Sequence, residues 1–142
     1  MIQNRSMPTC TVIPELGYPN VTQATDWLCG AFGFVVRLKI ADHRAQLGIG
    51  DGAMVVTLLG AAASAGGKGL EAAFAVMVRV EDVDAHYARA SRFGAEILSR
   101  PTDYPYGERQ YSCRDLGGHR WTFSQTIADV ACETWGGTLV NG

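Results

Sequence analysis

The sequence has no CxxC pair, no run of Lys or Arg, and no unbroken apolar stretch of the roughly 18 residues that a membrane-spanning helix needs. Its four cysteines, Cys10, Cys29, Cys113 and Cys132, are scattered, so spacing excludes a zinc knuckle or a CxxC redox motif. They read as free thiols, with Cys113 the first to suspect of reactivity. Twelve basic side chains against 14 acidic ones give a net charge of −2. That offers no electrostatic footprint for nucleic acid or an anionic membrane, and neither is expected as a partner. The start, "MIQNRSMPTCTV", lacks the apolar core of a signal peptide, which makes the cytoplasm the expected location. Charged residues make up 18% of the chain, below the usual figure of about 25%, as if part of the surface were reserved for a second subunit; a homodimer is expected. A length of 142 residues suits a single domain over 1–142.

What the sequence does contain is one plan written twice. In "NVTQATDWLCGAFGF" the residues Val21, Ala24, Trp27, Leu28, Ala31 and Phe32 recur at helical spacing, Asn20 and Gln23 are spaced as a capping pair, and Gly33 stops the helix. Three short β-branched runs follow, "FVVRLKI", "RAQLGIG" and "GAMVVTLLG", so this half reads strand, helix, three strands. The order returns after residue 74. An apolar strand (Phe74 to Val80) leads to a helix opened at Asp82, with Val83, Tyr87 and Ala90 on one face and a stop at Gly94. "AEILS", "RQYSCR" and "HRWTFSQ" are the next three strands, the last two joined by the turn "DLGG". "GDGAMVVT" and "LGGHRWTF" match with Gly52 above Gly118, which points to a tandem duplication. Module one runs over about 10–60 and module two over about 70–126. Between them "GAAASAGGKG" is a small-residue linker (61–69) without the GxxxxGK[ST] order of a phosphate cradle, and residues 127–142 form a tail whose Trp135, Leu139 and Val140 suggest docking.

Two βαβββ units, AFGF at the end of the first helix and "YGERQYSCRDLGGHRWTF" near the close resemble the vicinal oxygen chelate superfamily of glyoxalases, bleomycin-resistance proteins and extradiol dioxygenases. The resemblance covers roughly residues 10 to 126 and is greatest to the glyoxalase/bleomycin-resistance-like group. It implies an α+β fold of two tandem βαβββ modules forming a curled mixed sheet with a concave cavity. It also implies a dimer and, in enzymatic members, a divalent metal held by side chains of the first and last strand of each unit as a Lewis acid. Carried over residue by residue, the last-strand ligands fall on Thr122 and, through the Gly52 match, on Val56; the first-strand positions fall near Ile13 and Ala73. None is a good ligand. Glu15 and Glu71, each two residues from an expected position and hence on the same strand face, are the weak candidates for a shifted site. No cofactor is expected unless such a site exists.

Period-two alternation in the last strand sets Trp121 and Phe123 against the helices and Arg120, Thr122 and Ser124 toward the cavity. Counting back through Asp115 adds Gln110 and Ser112 to the cavity side and puts Arg109, Tyr111 and Cys113 opposite. Met54, Val56 and Leu58 are expected to supply an apolar floor, and Arg120 a fixed charge for an anionic group or a carboxylate such as Glu108 or Glu15. Tyr106, with Tyr104, is a loop aromatic suited to stacking on a ligand or sealing a dimer contact. His119 and Asp115 read as supports of the "DLGG" turn, and His43 and His86 as solvated. The expected function is metal-free binding and sequestration of a small organic ligand, a drug or metabolite. The alternative is a metal-dependent lyase, isomerase or dioxygenase with shifted ligands.

Overall fold

The computed structural model describes residues 2–59 and 74–140. In them the chain runs β1 (Glu15–Tyr18), α1 (Val21–Phe32), β2 (Val35–Ile40), β3 (Arg44–Ile49) and β4 (Gly52–Leu58). The order then repeats as β5 (Val76–Arg79), α2 (Val83–Arg92), β6 (Glu96–Tyr104), β7 (Glu108–Arg114) and β8 (Arg120–Thr126), and a 3-10 turn over Cys132–Trp135 follows. The expected linker over 61–69 lies outside the described residues, as do Glu71 and Ala73.

Both helices begin as their sequences require. The Asn20 side chain accepts the backbone N–H of Gln23 and the Asp82 side chain accepts that of Ala85, each satisfying an otherwise orphaned donor of the first turn. Gly33 ends α1 at φ 83°, a left-handed conformation that a Cβ would disfavour.

Each module folds one four-stranded mixed sheet, ordered β1-β4-β3-β2 in the first and β5-β8-β7-β6 in the second. The opening strand runs parallel to the last one, made possible by the intervening helix, while the remaining pairs are antiparallel. The two helices lie on one side of the sheets, over a shared core of Leu28, Ala31, Phe32, Leu47, Met54, Val56, Tyr111, Trp121 and Phe123.

The modules are tied together across this core. The indole of Trp27 donates to the backbone oxygen of Phe93 at 2.8 Å, and Arg89 Nε donates to that of Gly30 at 2.7 Å. Deeper in, Tyr18 of β1 reaches the turn between β7 and β8, where its hydroxyl donates to Asp115 at 2.6 Å. Asp115 also accepts from the indole of Trp121 (3.0 Å) and from the backbone N–H of Gly117 (2.9 Å) and His119 (3.0 Å), with His119 Nδ1 at 3.3 Å. The turn-forming roles expected of Asp115 and His119 are therefore present, and Asp115 is in addition the hinge pin between modules.

His86 departs from expectation. It is not solvated on the outer face of α2: its ring lies 4.0 Å from that of Phe123, next to Phe32, and Nδ1 is hydrogen-bonded to the hydroxyl of Tyr111. An imidazole carries enough apolar surface to be packed this way when one nitrogen finds a partner. Cys113 is fully buried in the core, where burial, reinforced by the charge of Asp115, pushes its thiol up to about 12. A thiol that stays protonated is inert, which overturns the suspicion of reactivity. The tail is held at its start by the N–H groups of Ile127 and Ala128, which donate to the Gly107 carbonyl, and further on by Trp135, packed edge-on to Tyr106, while Leu139 and Val140 are exposed.

Candidate functional site: the open faces of the two sheets

With the helices on one side, each sheet turns a second face away from the core. In module two the directly opposed pairs Gln110 and Ser124, Ser112 and Thr122, and Arg114 and Arg120 share that face. Ser112 Oγ lies 2.9 Å from Thr122 Oγ1, and Gln110 donates to Ser124 Oγ at 3.0 Å; Ser124 in turn donates to Glu108 at 2.6 Å. The Tyr106 hydroxyl reaches Gln110 at 3.3 Å, and its ring stacks on Tyr104 at 5.4 Å between centroids. Met77, beside Thr122 in β5, is 65% exposed on this face. Six of the residues marked in the sequence, Tyr106, Gln110, Ser112, Arg120, Thr122 and Ser124, thus come together on one sheet face, Ser124 buried and the other five half-buried.

Met54 and Val56 do not join them. They lie in the core under α1, paired with Leu47 and Ala45, and the residues that look away from the helices are Val55 and Thr57. The reason is a slip of one residue. Leu16 and Val78 stand at the same distance ahead of their helices and pair with Val56 and Phe123 respectively, so Val56 corresponds to Phe123 and Val55 to Thr122. Matching Gly52 to Gly118 misses this, and in a strand an odd slip exchanges the faces. Leu58, the third residue of the expected floor, is exposed at the strand end.

The same register shows which first-strand residues adjoin the last-strand positions: Glu15 beside Val55, and Met77 beside Thr122. Ile13 precedes β1. A divalent centre needs several oxygen, nitrogen or thiolate donors converging. Here the set is Val, Thr, a thioether and one carboxylate, which is already engaged by Arg44 at 3.3 Å. This donor set does not fit a metal, and among the described residues no group of three His, Cys, Asp or Glu converges elsewhere. Glu15 is paired with Arg44, and Glu108 accepts from Ser124.

Paired βαβββ modules, each a helix packed on one face of a four-stranded mixed sheet, define the class of protein. The chain belongs to the glyoxalase/bleomycin resistance protein/dioxygenase superfamily, whose model matches residues 12–123. It is 35% identical to TioX from Micromonospora sp. ML1, with a TM-score of 0.67 over 86% of this chain and 100% of that one. A glyoxalase/bleomycin resistance protein/dioxygenase family enzyme from Burkholderia phytofirmans PsJN shares the fold at 15% identity (TM-score 0.65, covering 80% and 95%). So does TnmS3, an antibiotic binding protein from Streptomyces sp. CB03234, at 19% identity (TM-score 0.57, covering 83% and 98%). No curated protein matches the sequence.

Proposed function

We propose that the protein binds a small organic molecule, a drug or metabolite, on the open face of module two and sequesters it without chemical change. The observation that carries this reading is the polar ladder Gln110, Ser112, Thr122 and Ser124, in which Thr122 stands where metal-dependent members would carry a ligand, bordered by Met77 and Tyr106. Hydrogen-bonding groups over partly apolar edges suit an amphipathic organic ligand, and Arg120 adds a charge for an anionic group. The likeness to TnmS3, whose name records antibiotic binding, supports the same reading. No cofactor and no nucleic acid or membrane partner enters this role.

We place it in the cytoplasm as a homodimer. No helix among the described residues is long and apolar enough to cross a membrane. Phe74 (70% exposed), Phe93 and Ile40 leave apolar surface that a second copy would cover.

The test uses 8-anilinonaphthalene-1-sulfonate, an aromatic anion, titrated against tryptophan fluorescence. Saturable binding is expected, weakened roughly tenfold by Arg120→Ala, on the scale of one charge-assisted hydrogen bond. The double variant Ser112→Val/Thr122→Val removes two mutually bonded hydroxyls at once and should weaken binding while leaving the melting temperature nearly unchanged. Binding indifferent to all three changes overturns the site. Stoichiometric Mn, Fe, Ni or Zn in protein purified without chelator, lost in Glu15→Ala, overturns the metal-free role.

A further inference from the structure

The open face of module one is not open. Gln46 and Val55 point away from the helices, yet they are only 4% and 3% exposed. What covers this face is the start of the chain. Gln46 Nε2 donates to the backbone oxygen of Ser6 at 2.8 Å. Arg37, at a register shift in β2, donates through Nη2 to the backbone oxygen of Arg5 at 2.6 Å and through Nη1 to Gln46 Oε1. The arm is folded on itself there: the Met7 N–H donates to the Asn4 carbonyl, and the Ser6 N–H to the Asn4 side chain.

In these contacts the sheet reads no side chain of the arm. Both acceptors are main-chain carbonyls of consecutive residues, and both donors come from the sheet. A buried carboxamide N–H is costly to leave without an acceptor, so Gln46 favours an occupant that returns a carbonyl. Alongside runs a groove of about 530 Å³, lined by Thr9, Cys10, Val35, Arg37, Asp51 and Ala53 among others, which extends the strip past the arm.

We propose that the Arg37 and Gln46 pair forms a second binding site, for a peptide-like chain with two neighbouring carbonyls, and that residues Asn4 to Ser6 are its resident intramolecular competitor. A tethered segment acts at an effective concentration on the order of millimolar, so an external ligand must compete at that level or bind more groups, as the adjoining groove allows. The site is on the other module from the ladder described above, and each stands or falls alone.

The experiment follows tryptic cleavage after Arg5 in the full-length protein by mass spectrometry. Arg37→Ala and, separately, Gln46→Leu should each speed cleavage roughly tenfold, the value of one hydrogen bond to a charged or buried donor. Arg37 is exposed, so its variant keeps the test valid if Gln46→Leu fails to fold. The probe is the peptide acetyl-IQNQSMPTS-amide at millimolar concentration, which trypsin cannot cut. It should accelerate cleavage of the native chain toward the variant rate and leave the Arg37→Ala rate unchanged. Native protein cleaved as fast as Arg37→Ala, no response to the peptide, or an equal response in both proteins overturns the proposal.

Discussion

At Asp115 a single carboxylate is surrounded by the donors of two modules. Burial alone would raise its pKa, but hydrogen bonds from His119, Tyr18 and Trp121 outweigh that effect and hold it below the ordinary carboxylate range. With a depressed folded pKa, its contribution to stability is complete above the usual value of 3.8 and is lost as pH falls through the lower native value. Asp115→Ala would strand the Tyr18 hydroxyl and the Trp121 indole in the core. We expect a loss of roughly 3 kcal/mol or more in urea unfolding, because buried donors lose a charged acceptor. His86 titrates the other way. Burial lowers its pKa from 6.5 to about 4, with Arg89 adding to the effect against the opposing pull of the Phe32 backbone carbonyl. The unfolded chain therefore binds the proton first. Melting temperature should fall as pH drops from 6.5 to 4, and His86→Phe, though less stable for the loss of the Tyr111 partner, should show a flatter profile over that window. The role of Asp115 in its turn was readable from "DLGG"; the burial of His86 was not, because its neighbours Phe32, Tyr111 and Phe123 are distant in sequence.

Among the elements, the helices were the most legible. Their caps are local, needing only Asn20 or Asp82 and a backbone N–H a turn away. Asn20→Ala should cost about 1 kcal/mol in thermal or urea unfolding, the usual worth of an N-cap. Strands β7 and β8 were equally readable, since large aromatics alternate with small polar residues and fix the phase. Strand β4 was not. In Gly52–Leu58 nearly every residue is apolar, and Met54, Val55 and Val56 are all buried, so composition cannot say which face is which. Val55 is buried on the face where the arm bonds its strand neighbour Gln46, and no periodicity within β4 could have announced that burial.

For the whole molecule, the links between Trp27 and Phe93, Arg89 and Gly30, and Tyr18 and Asp115 join the modules through one core rather than leaving two half-domains. Tryptophan fluorescence and far-UV circular dichroism should accordingly report one coincident unfolding transition. Two separated transitions would mean that these links are weaker than the packing within each module. What sequence alone settled is everything with a short range or a strict period: the doubled βαβββ plan, the helix ends, the turn at Asp115, and the polar face of Gln110, Ser112, Thr122 and Ser124. What folding had to settle are the contacts between segments far apart in the chain: the register that sends Met54 and Val56 inward, the burial of His86, and the arm lying over Gln46. A strand carries its alternation within itself, but its phase and its cover belong to its neighbours.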